Sequence, residues 1–244
     1  MLFIKGAILF SLISILGVGT AYAQTQRKAG QGNGKTEQEK PKFEVTVSGV
    51  TGKKAERLLK EAARRGEVSE KFAEESRKCR RLINERKLKE AETVCKAALR
   101  LADQLEAENK YGRMRAYESV GHTMLGQERY PEALEYYSRA FEFGQPELTE
   151  EDATLGRLYS NLAVTQHMLG ELDKARELYR KSEQIYHYAY STFVVTNTAE
   201  GLAEEKQLYL ESLKRILRQH RIAAEDAGAT SEIAEIDKLM KSLP

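Results

Sequence analysis

The sequence predicts an all-α protein, an α-solenoid of about three helix pairs that ends in a helical C-terminal cap. Three stretches carry large and small residues at spacings of three and four, which is typical of one face of an α-helix. They start at Leu88, Tyr130 and Leu172, so the two intervals are equal, 130 − 88 = 42 and 172 − 130 = 42. An equal period between three copies indicates an internal repeat.

Residues 1–23 have the form of a secretory signal peptide. Lys5 precedes an apolar run over 7–18, and Ala-Tyr-Ala at 21–23 supplies a cleavage pattern of small residues. The run is short for a membrane span, which needs about 20 apolar residues, and an uncleaved anchor is the alternative. We therefore expect an exported protein, periplasmic or else secreted or associated with the cell envelope.

Residues 24–42 contain no large apolar side chain, which predicts a disordered polar linker. The chain has 39 basic and 37 acidic residues, and cleavage of the signal would remove Lys5, leaving 38 − 37 = +1. A near-neutral balance argues against a nucleic-acid partner and indicates solvated helix faces that carry both signs.

The segment 43–69 is predicted to hold a short strand and a lead-in helix. Residues 42–50 alternate apolar and polar side chains, which is typical of a strand. We identify no partner for it in the chain, so it is either an edge that another protein pairs with or an extended lead-in. Residues 52–65 then have helical spacing.

A second helical pattern lies upstream of each organising stretch. Twelve positions before Ala91, Ala133 and Ala175 the chain has small residues, namely Cys79, Gly121 and Ala163. Each unit is therefore predicted to be a pair of helices whose small residues meet where the helices cross. The repeat region is placed at 70–190, with the pairs at about 70–103, 112–145 and 154–187.

The pattern resembles the tetratricopeptide repeat. The residues in its signature positions are Tyr117, Gly121, Tyr130, Ala133, Tyr137 and Ala140, then Tyr159, Ala163, Gly170, Leu172, Ala175 and Tyr179. The first copy is degenerate, with Glu75 and Lys78 where large apolar residues belong. A standard repeat has about 34 residues, and the longer spacing is similar in length alone to the repeats of kinesin light chains. The resemblance implies that the signature residues form the core of the stack.

Residues 191–244 are predicted to form capping helices, because the repeat pattern breaks there, with Arg221 in a large apolar position. We expect one long helix that ends near Gly228 and a short last helix with Ser231 as its cap. The aromatic run at 186–193 is expected to pack the last repeat against this cap.

The two cysteines, Cys79 and Cys95, fall on facing surfaces of the first helix pair. Export to an oxidising compartment would permit a disulfide between them. Closing a loop of 95 − 79 = 16 residues would stabilise the fold by about 3 kcal/mol from chain entropy. The alternative is two buried free thiols that act as small apolar residues.

No motif in the sequence predicts catalysis, a metal site or a cofactor. A metal site needs three or four converging ligands, and the four histidines do not predict one. Gly30, Gly32 and Gly34 lie in the polar linker and not between a strand and a helix, so they are no phosphate loop. We expect the protein not to be an enzyme; converging titratable residues in a closed pocket would change that expectation.

The resemblance implies that the first helix of each pair lines a concave groove that holds peptides or partner helices. In register with the small position, that groove would contain Arg77, Arg80, Arg115, Glu118, Ser119, His122, Arg157, Ser160, Asn161 and His167. Guanidinium groups bind carboxylates in a fork, so an acidic segment or a C-terminal carboxylate is the expected ligand. The clamp of chaperone-binding members is absent, since Ser76 and Arg80 replace its Lys and Asn. The alternative is that these arginines are solvated or paired with local glutamates.

We therefore expect an exported scaffold without catalysis that binds an unidentified protein or peptide partner and no nucleic acid. The alternative is a structural subunit of a cell-envelope or secretion complex. Such a subunit would form homo-oligomers through its aromatic C-terminal cap.

Overall fold

The computed structural model describes residues 46–47, 50–105, 109–149, 152–196 and 203–244. The chain divides into two units, residues 1–67 and 68–244. The predicted signal peptide at 1–23 and the polar linker at 24–42 lie outside the described residues.

The first unit contains two short strands, β1 at Thr46–Val47 and β2 at Val50–Thr51. They pair antiparallel, with Thr46 opposite Thr51 and Val47 opposite Val50. The expectation that the strand has no partner within the chain is therefore wrong. Two-residue strands are too short to show a separate alternating pattern each, so the sequence shows them as one run.

Helix α1, Lys53–Asn84, begins in the first unit and has 32 residues. The sequence predicted a lead-in helix over 52–65 and a separate repeat helix from about residue 70, but one continuous helix covers both. No proline lies in between, and the one weak position, Gly66, costs a helix about 1 kcal/mol relative to alanine. This cost is too small to end the helix by itself.

The described part of the second unit holds seven further α-helices that follow one another as antiparallel neighbours. They are α2 at Leu88–Gln104, α3 at Lys110–Gly126, α4 at Tyr130–Gly144, α5 at Ala153–Met168, α6 at Leu172–Thr196, α7 at Ala203–Asp226 and α8 at Thr230–Ser242. Consecutive helices pack against each other, which confirms the predicted all-α solenoid. No described helix is long and apolar enough to cross a membrane.

Each helix pair is joined by a short turn with one residue in the left-handed conformation. These turn residues are Arg86 (φ 57°), Glu128 (φ 62°), Gly170 (φ 80°) and Gly228 (φ 66°). The next backbone N–H donates to the carbonyl five residues back, as in Arg129 to Met124 at 3.0 Å and Ala229 to Ala224 at 2.8 Å. This is the Schellman ending of a helix. The turn residues lie 128 − 86 = 42, 170 − 128 = 42 and 228 − 170 = 58 positions apart.

The longer last interval arises because α6 and α7 are long. Helix α6 has 25 residues, whereas its equivalent α4 has 15. The aromatic run at 186–193 continues α6, and its first residue, Tyr186, lies in the core cluster that contains Leu213 and Ile216. The third pair therefore runs past the predicted end at residue 187. Helices α7 and α8 lie where the long and the short capping helix were predicted, and the turn at Gly228 joins them as a fourth pair.

Ser231 does not cap the last helix. Helix α8 begins at Thr230, and its N-cap residue, Ala229, makes no side-chain cap hydrogen bond. The backbone turn at Gly228 determines where this helix starts, so a side-chain cap is not needed.

Small residues let the helices approach where they cross. Ala133, Ala140, Ala163 and Ala175 are fully buried. At Gly121 a Cβ atom would lie 2.8 Å from two ring carbons of Tyr137, so a side chain at this position would push the ring away. These residues hold the positions that the repeat pattern predicted.

Most of the predicted core residues lie in the core, with one exception. Tyr137 and Tyr179 are at most 1% exposed, and Tyr117, Tyr130, Tyr159 and Leu172 are half-buried. Gly170 is exposed, so its place among the core residues is wrong. Its left-handed φ shows that it serves the turn, where glycine has no steric penalty.

Cys79 and Cys95 form a disulfide that joins α1 to α2, with their Cα atoms 5.0 Å apart. Both residues are at most 1% exposed and belong to the core cluster that contains Ala91 and Tyr137. The bridge therefore lies inside the first helix pair.

Candidate partner-binding surface

The first helix of each pair has one face that the core leaves accessible. It contains the residues thirteen, nine and six positions before the turn residue, and spacings of four and three put these on one side of a helix. We call these twelve residues the first-helix face. They are Ala73, Arg77 and Arg80 in α1, Arg115, Ser119 and His122 in α3, Arg157, Asn161 and Val164 in α5, and Arg215, Gln219 and Ile222 in α7. All twelve are half-buried or exposed.

Seven of the ten predicted groove residues lie on the first-helix face. The other three are Glu118, which is 4% exposed, Ser160, which is 8% exposed, and His167, which lies three positions from the face. Glu118 points towards α5, and both residues are too buried to line an open groove.

The prediction missed the contribution of α7, namely Arg215, Gln219 and Ile222. The repeat period of 42 does not reach them, because the last interval between turn residues is 58. Counting positions back from the turn residue finds them: Arg215 lies 228 − 215 = 13 positions before Gly228, and Arg115 lies 128 − 115 = 13 positions before Glu128.

A buried ion pair connects α3 to α5 beneath the face. The Glu118 carboxylate accepts hydrogen bonds from Arg157 Nε at 2.6 Å and Nη2 at 3.2 Å, and from Asn161 Nδ2 at 2.9 Å. Burial lowers the pKa of Arg157, but the charge and hydrogen bonds of Glu118 raise it by more, so the pKa lies above its usual value. Much of the charge of Arg157 is therefore neutralised within the protein.

His122 occupies the middle of the face in α3. Its Nδ1 lies 2.9 Å from the backbone oxygen of Glu118, so Nδ1 carries the hydrogen and donates. Burial lowers the His122 pKa, which favours the neutral ring. The ring packs edge-on against Tyr137, with centroids 5.4 Å apart. A neutral ring that donates from Nδ1 has Nε2 as a hydrogen-bond acceptor.

The remaining arginines of the face are available to a partner. Among the described residues, Arg77, Arg80, Arg115 and Arg215 make no hydrogen bond or ion pair through their guanidinium groups. The twelve residues of the face include five arginines and no acidic residue. The face is thus electropositive and can bind carboxylate groups in a bidentate manner.

His167 joins two helices. Its Nε2 lies 2.7 Å from Asp226 Oδ2, which connects the ends of α5 and α7 beside the face. Within the described residues, no group of three or more His, Cys, Asp or Glu side chains is placed to hold a metal ion.

Comparison with known proteins finds a family match over part of the chain. Residues 114–186 match the tetratricopeptide repeat family. No curated protein matches the chain.

Two solved structures resemble the chain at low sequence identity. One holds the nearly identical TPR-like repeats of a protein reported as a kinesin light chain of Podosopora anserina, with 14% identity over 70% of this chain and 94% of that one, at a TM-score of 0.45. Another is BtubC (BKLC) from P. vanneervenii, with 15% identity over 72% of this chain and 90% of that one, at a TM-score of 0.40. The family match itself lies within the second and third helix pairs.

Proposed function

We propose that the protein is a scaffold without catalysis that binds a protein or peptide partner on the first-helix face. The observation that carries the proposal is the excess of arginine on this face, together with four guanidinium groups that have no partner among the described residues. The tetratricopeptide repeats at 114–186 support a role in protein interaction.

The packing separates this face from the residues that hold the fold together. Tyr137, Ala133 and Gly121 face the core, whereas Arg115 and Ser119 lie on the other side of the same helix pair. Side chains on the face can therefore be changed for binding at little cost to stability. Arg157, Asn161 and His122 are exceptions: the first two bind the buried Glu118 carboxylate, and His122 packs against Tyr137.

Photo-crosslinking from the face tests the proposal. A photoreactive residue replaces Ser119 in one variant and Glu135, an exposed residue of α4, in the control. Adducts identified by mass spectrometry should form from position 119 and not from position 135. The yield of these adducts should decrease about tenfold in the double variant Arg115→Glu, Arg215→Glu. It should not change in the control double variant Lys89→Glu, Arg100→Glu, whose substitutions lie on α2. The proposal that this surface binds a partner would be wrong if no adduct formed from position 119, or if the yield of adducts did not change on charge reversal.

We further propose that the protein is exported and works in the periplasm. The support consists of the signal-like sequence at 1–23 and the pairing of its two cysteines, since disulfides persist in oxidising compartments. Cell fractionation and N-terminal sequencing test this: a mature chain that begins at Gln24 in the periplasmic fraction is expected. Retention in the cytoplasm with two free thiols would contradict it.

The alternative of a self-associating subunit has its own support. Tyr188 in α6 is 46% exposed and Leu208 in α7 is 64% exposed. The accessible side of α8, however, carries Glu235, Lys238 and Lys241, which disfavours growth of the stack from that end. Sedimentation velocity of the wild type and of Leu208→Asp distinguishes the two, because the scaffold should be monomeric in both forms.

A further inference from the structure

The first-helix face changes its chemistry from one end of the stack to the other. The clearest series lies six positions before each turn residue. It reads Arg80 in α1, His122 in α3, Val164 in α5 and Ile222 in α7. The series therefore passes from a cation through a neutral imidazole to two apolar side chains.

The neighbouring residues strengthen this gradient at both ends. Arg77 and Arg115, which have no ion pair among the described residues, flank the charged end. Met168 lies one turn beyond Val164 and is 49% exposed, and Ile222 is 50% exposed. Single exposed apolar residues are common, but here two lie beside the half-buried Val164 on two neighbouring first helices.

The ion pair beneath the face accounts for the change of charge. Glu118 neutralises Arg157 with two hydrogen bonds, and Asp226 is held by His167. Positive charge without an internal partner is thus concentrated over α1 and α3, whereas over α5 it is largely compensated. At α7 a single free arginine, Arg215, lies seven residues from Ile222.

We infer that the face binds an extended segment of another protein that carries acidic side chains over α1 and α3 and apolar side chains over α5 and α7. This inference rests on the proposed function and specifies its partner. The partner's carboxylates pair with the free guanidinium groups. Its apolar side chains cover Val164, Met168 and Ile222. The flexible thioether of Met168 adapts to the shape of those side chains.

The spacing of the helices indicates the length of the segment. Packed helices lie about 8–10 Å apart, so the centres of the two halves of the face are about two helix spacings apart, roughly 18 Å. An extended chain rises about 3.3 Å per residue. The acidic and apolar groups of the partner should therefore lie about five or six residues apart.

Three fluorescent peptides test this inference by anisotropy with the full chain. The first has four glutamates, a two-residue Gly/Ser spacer and Leu-Ser-Leu; the second replaces both leucines with serine; the third has the composition of the first with acidic and apolar residues alternating. We expect the first peptide to bind at least tenfold more tightly than the other two. Comparable binding of the first and third peptides, or no binding of the first, would overturn the inference.

Two matched pairs of variants assign each half of the peptide to its half of the face. Arg80→Glu should weaken the first and second peptides about tenfold, whereas Arg100→Glu on α2 leaves them unchanged. Ile222→Asp should weaken the first peptide about tenfold but not the second, whereas Leu208→Asp, off the face, has no effect. Increasing salt should weaken only the part of the binding that comes from the glutamates of the peptides.

The outcome separates this inference from the proposed function. Crosslinks from position 119 that depend on Arg115 and Arg215, together with no preference for the first peptide, would overturn the inference and keep the binding surface. Absence of both would overturn both.

Discussion

At the residue scale, Tyr137 shows how the helix pairs are held together. Its ring is fully buried against Gly121, where a Cβ atom would come within 2.8 Å. Its hydroxyl has no hydrogen-bond partner among the described residues. Burial, with the nearby charge of Glu118, raises the Tyr137 pKa well above its usual value. The ring therefore stabilises the fold, whereas the hydroxyl does not.

Two substitutions of Tyr137 should have very different effects on the free energy of unfolding. Tyr137→Phe removes a buried hydroxyl without a partner, so we expect no loss and up to about 1 kcal/mol gain in the free energy of unfolding. Tyr137→Ala leaves a cavity and should cost about 3–5 kcal/mol. Urea unfolding followed by circular dichroism measures both. A loss of more than about 1 kcal/mol in the Phe variant would mean that the hydroxyl has a partner in solution.

The turn residues allow a second pair of substitutions. Gly170→Ala should cost about 1 kcal/mol, because alanine resists the left-handed conformation, while its Cβ would meet no atom within 4 Å. Glu128→Gly should gain a few tenths to about 1 kcal/mol at the equivalent turn, since Glu128 has φ 62°. Thermal unfolding of the two variants should shift in opposite directions; shifts of the same sign would refute the equivalence of the turns.

At the scale of helices, ion pairs connect each repeat to the next. Glu92 of α2 accepts hydrogen bonds from Lys96 at 2.7 Å, Gln127 at 3.1 Å and Arg129 at 2.8 Å, and Arg129 directly precedes α4. The Lys96 bond, together with those of Gln127 and Arg129, lowers the Glu92 pKa to about 2, against the opposing effect of burial. Glu118 and Arg157 connect α3 to α5 in a similar way.

Glu92 should make stability depend on pH. A carboxylate with a lowered folded-state pKa stabilises above its unfolded value of about 4.3 and loses that contribution as the pH falls towards 2. We expect about 1–2 kcal/mol from this group, since solvent screens its partly exposed partners. Glu92→Gln should flatten the stability profile between pH 4.5 and pH 2 relative to Glu90→Gln, an exposed control. Equal slopes in the two variants would contradict the assignment.

At the scale of the whole molecule, a solenoid is held together by contacts between neighbouring repeats. The first helix pair lies outside the family match at 114–186, and its predicted pattern is degenerate. The disulfide between Cys79 and Cys95 lies in this pair and joins its two helices. Covalent closure at this place compensates for a weak repeat pattern.

Loss of the disulfide should loosen the first pair before the others. Cys79→Ala combined with Cys95→Ala should cost about 3 kcal/mol by removing a loop constraint of 16 residues. Hydrogen exchange should accelerate in α1 and α2 more than in α5 and α6. A uniform increase along the chain would show that the bridge stabilises the whole stack and not its first pair.

The helix pairs of the repeat region and their crossing points could be predicted from the sequence alone. These depend on local features, because a helix face follows from spacings of three and four and a close crossing needs small residues such as Gly121 and Ala133. The sequence also brought Arg115, Ser119, Arg157 and Asn161 to one surface, since repeat register transfers a position from one pair to the next.

Other features depend on packing between distant parts of the chain and are seen only in the tertiary structure. Glu118 and Arg157 are 39 residues apart in sequence, and only their meeting shows that one predicted ligand-binding arginine is already paired. No local stop signal marks the predicted boundaries in α1 and α6, and both helices continue past them. Arg215 and Ile222 lie on the first-helix face because the last two turn residues, Gly170 and Gly228, are further apart than the others. A constant repeat period of 42 residues does not predict this.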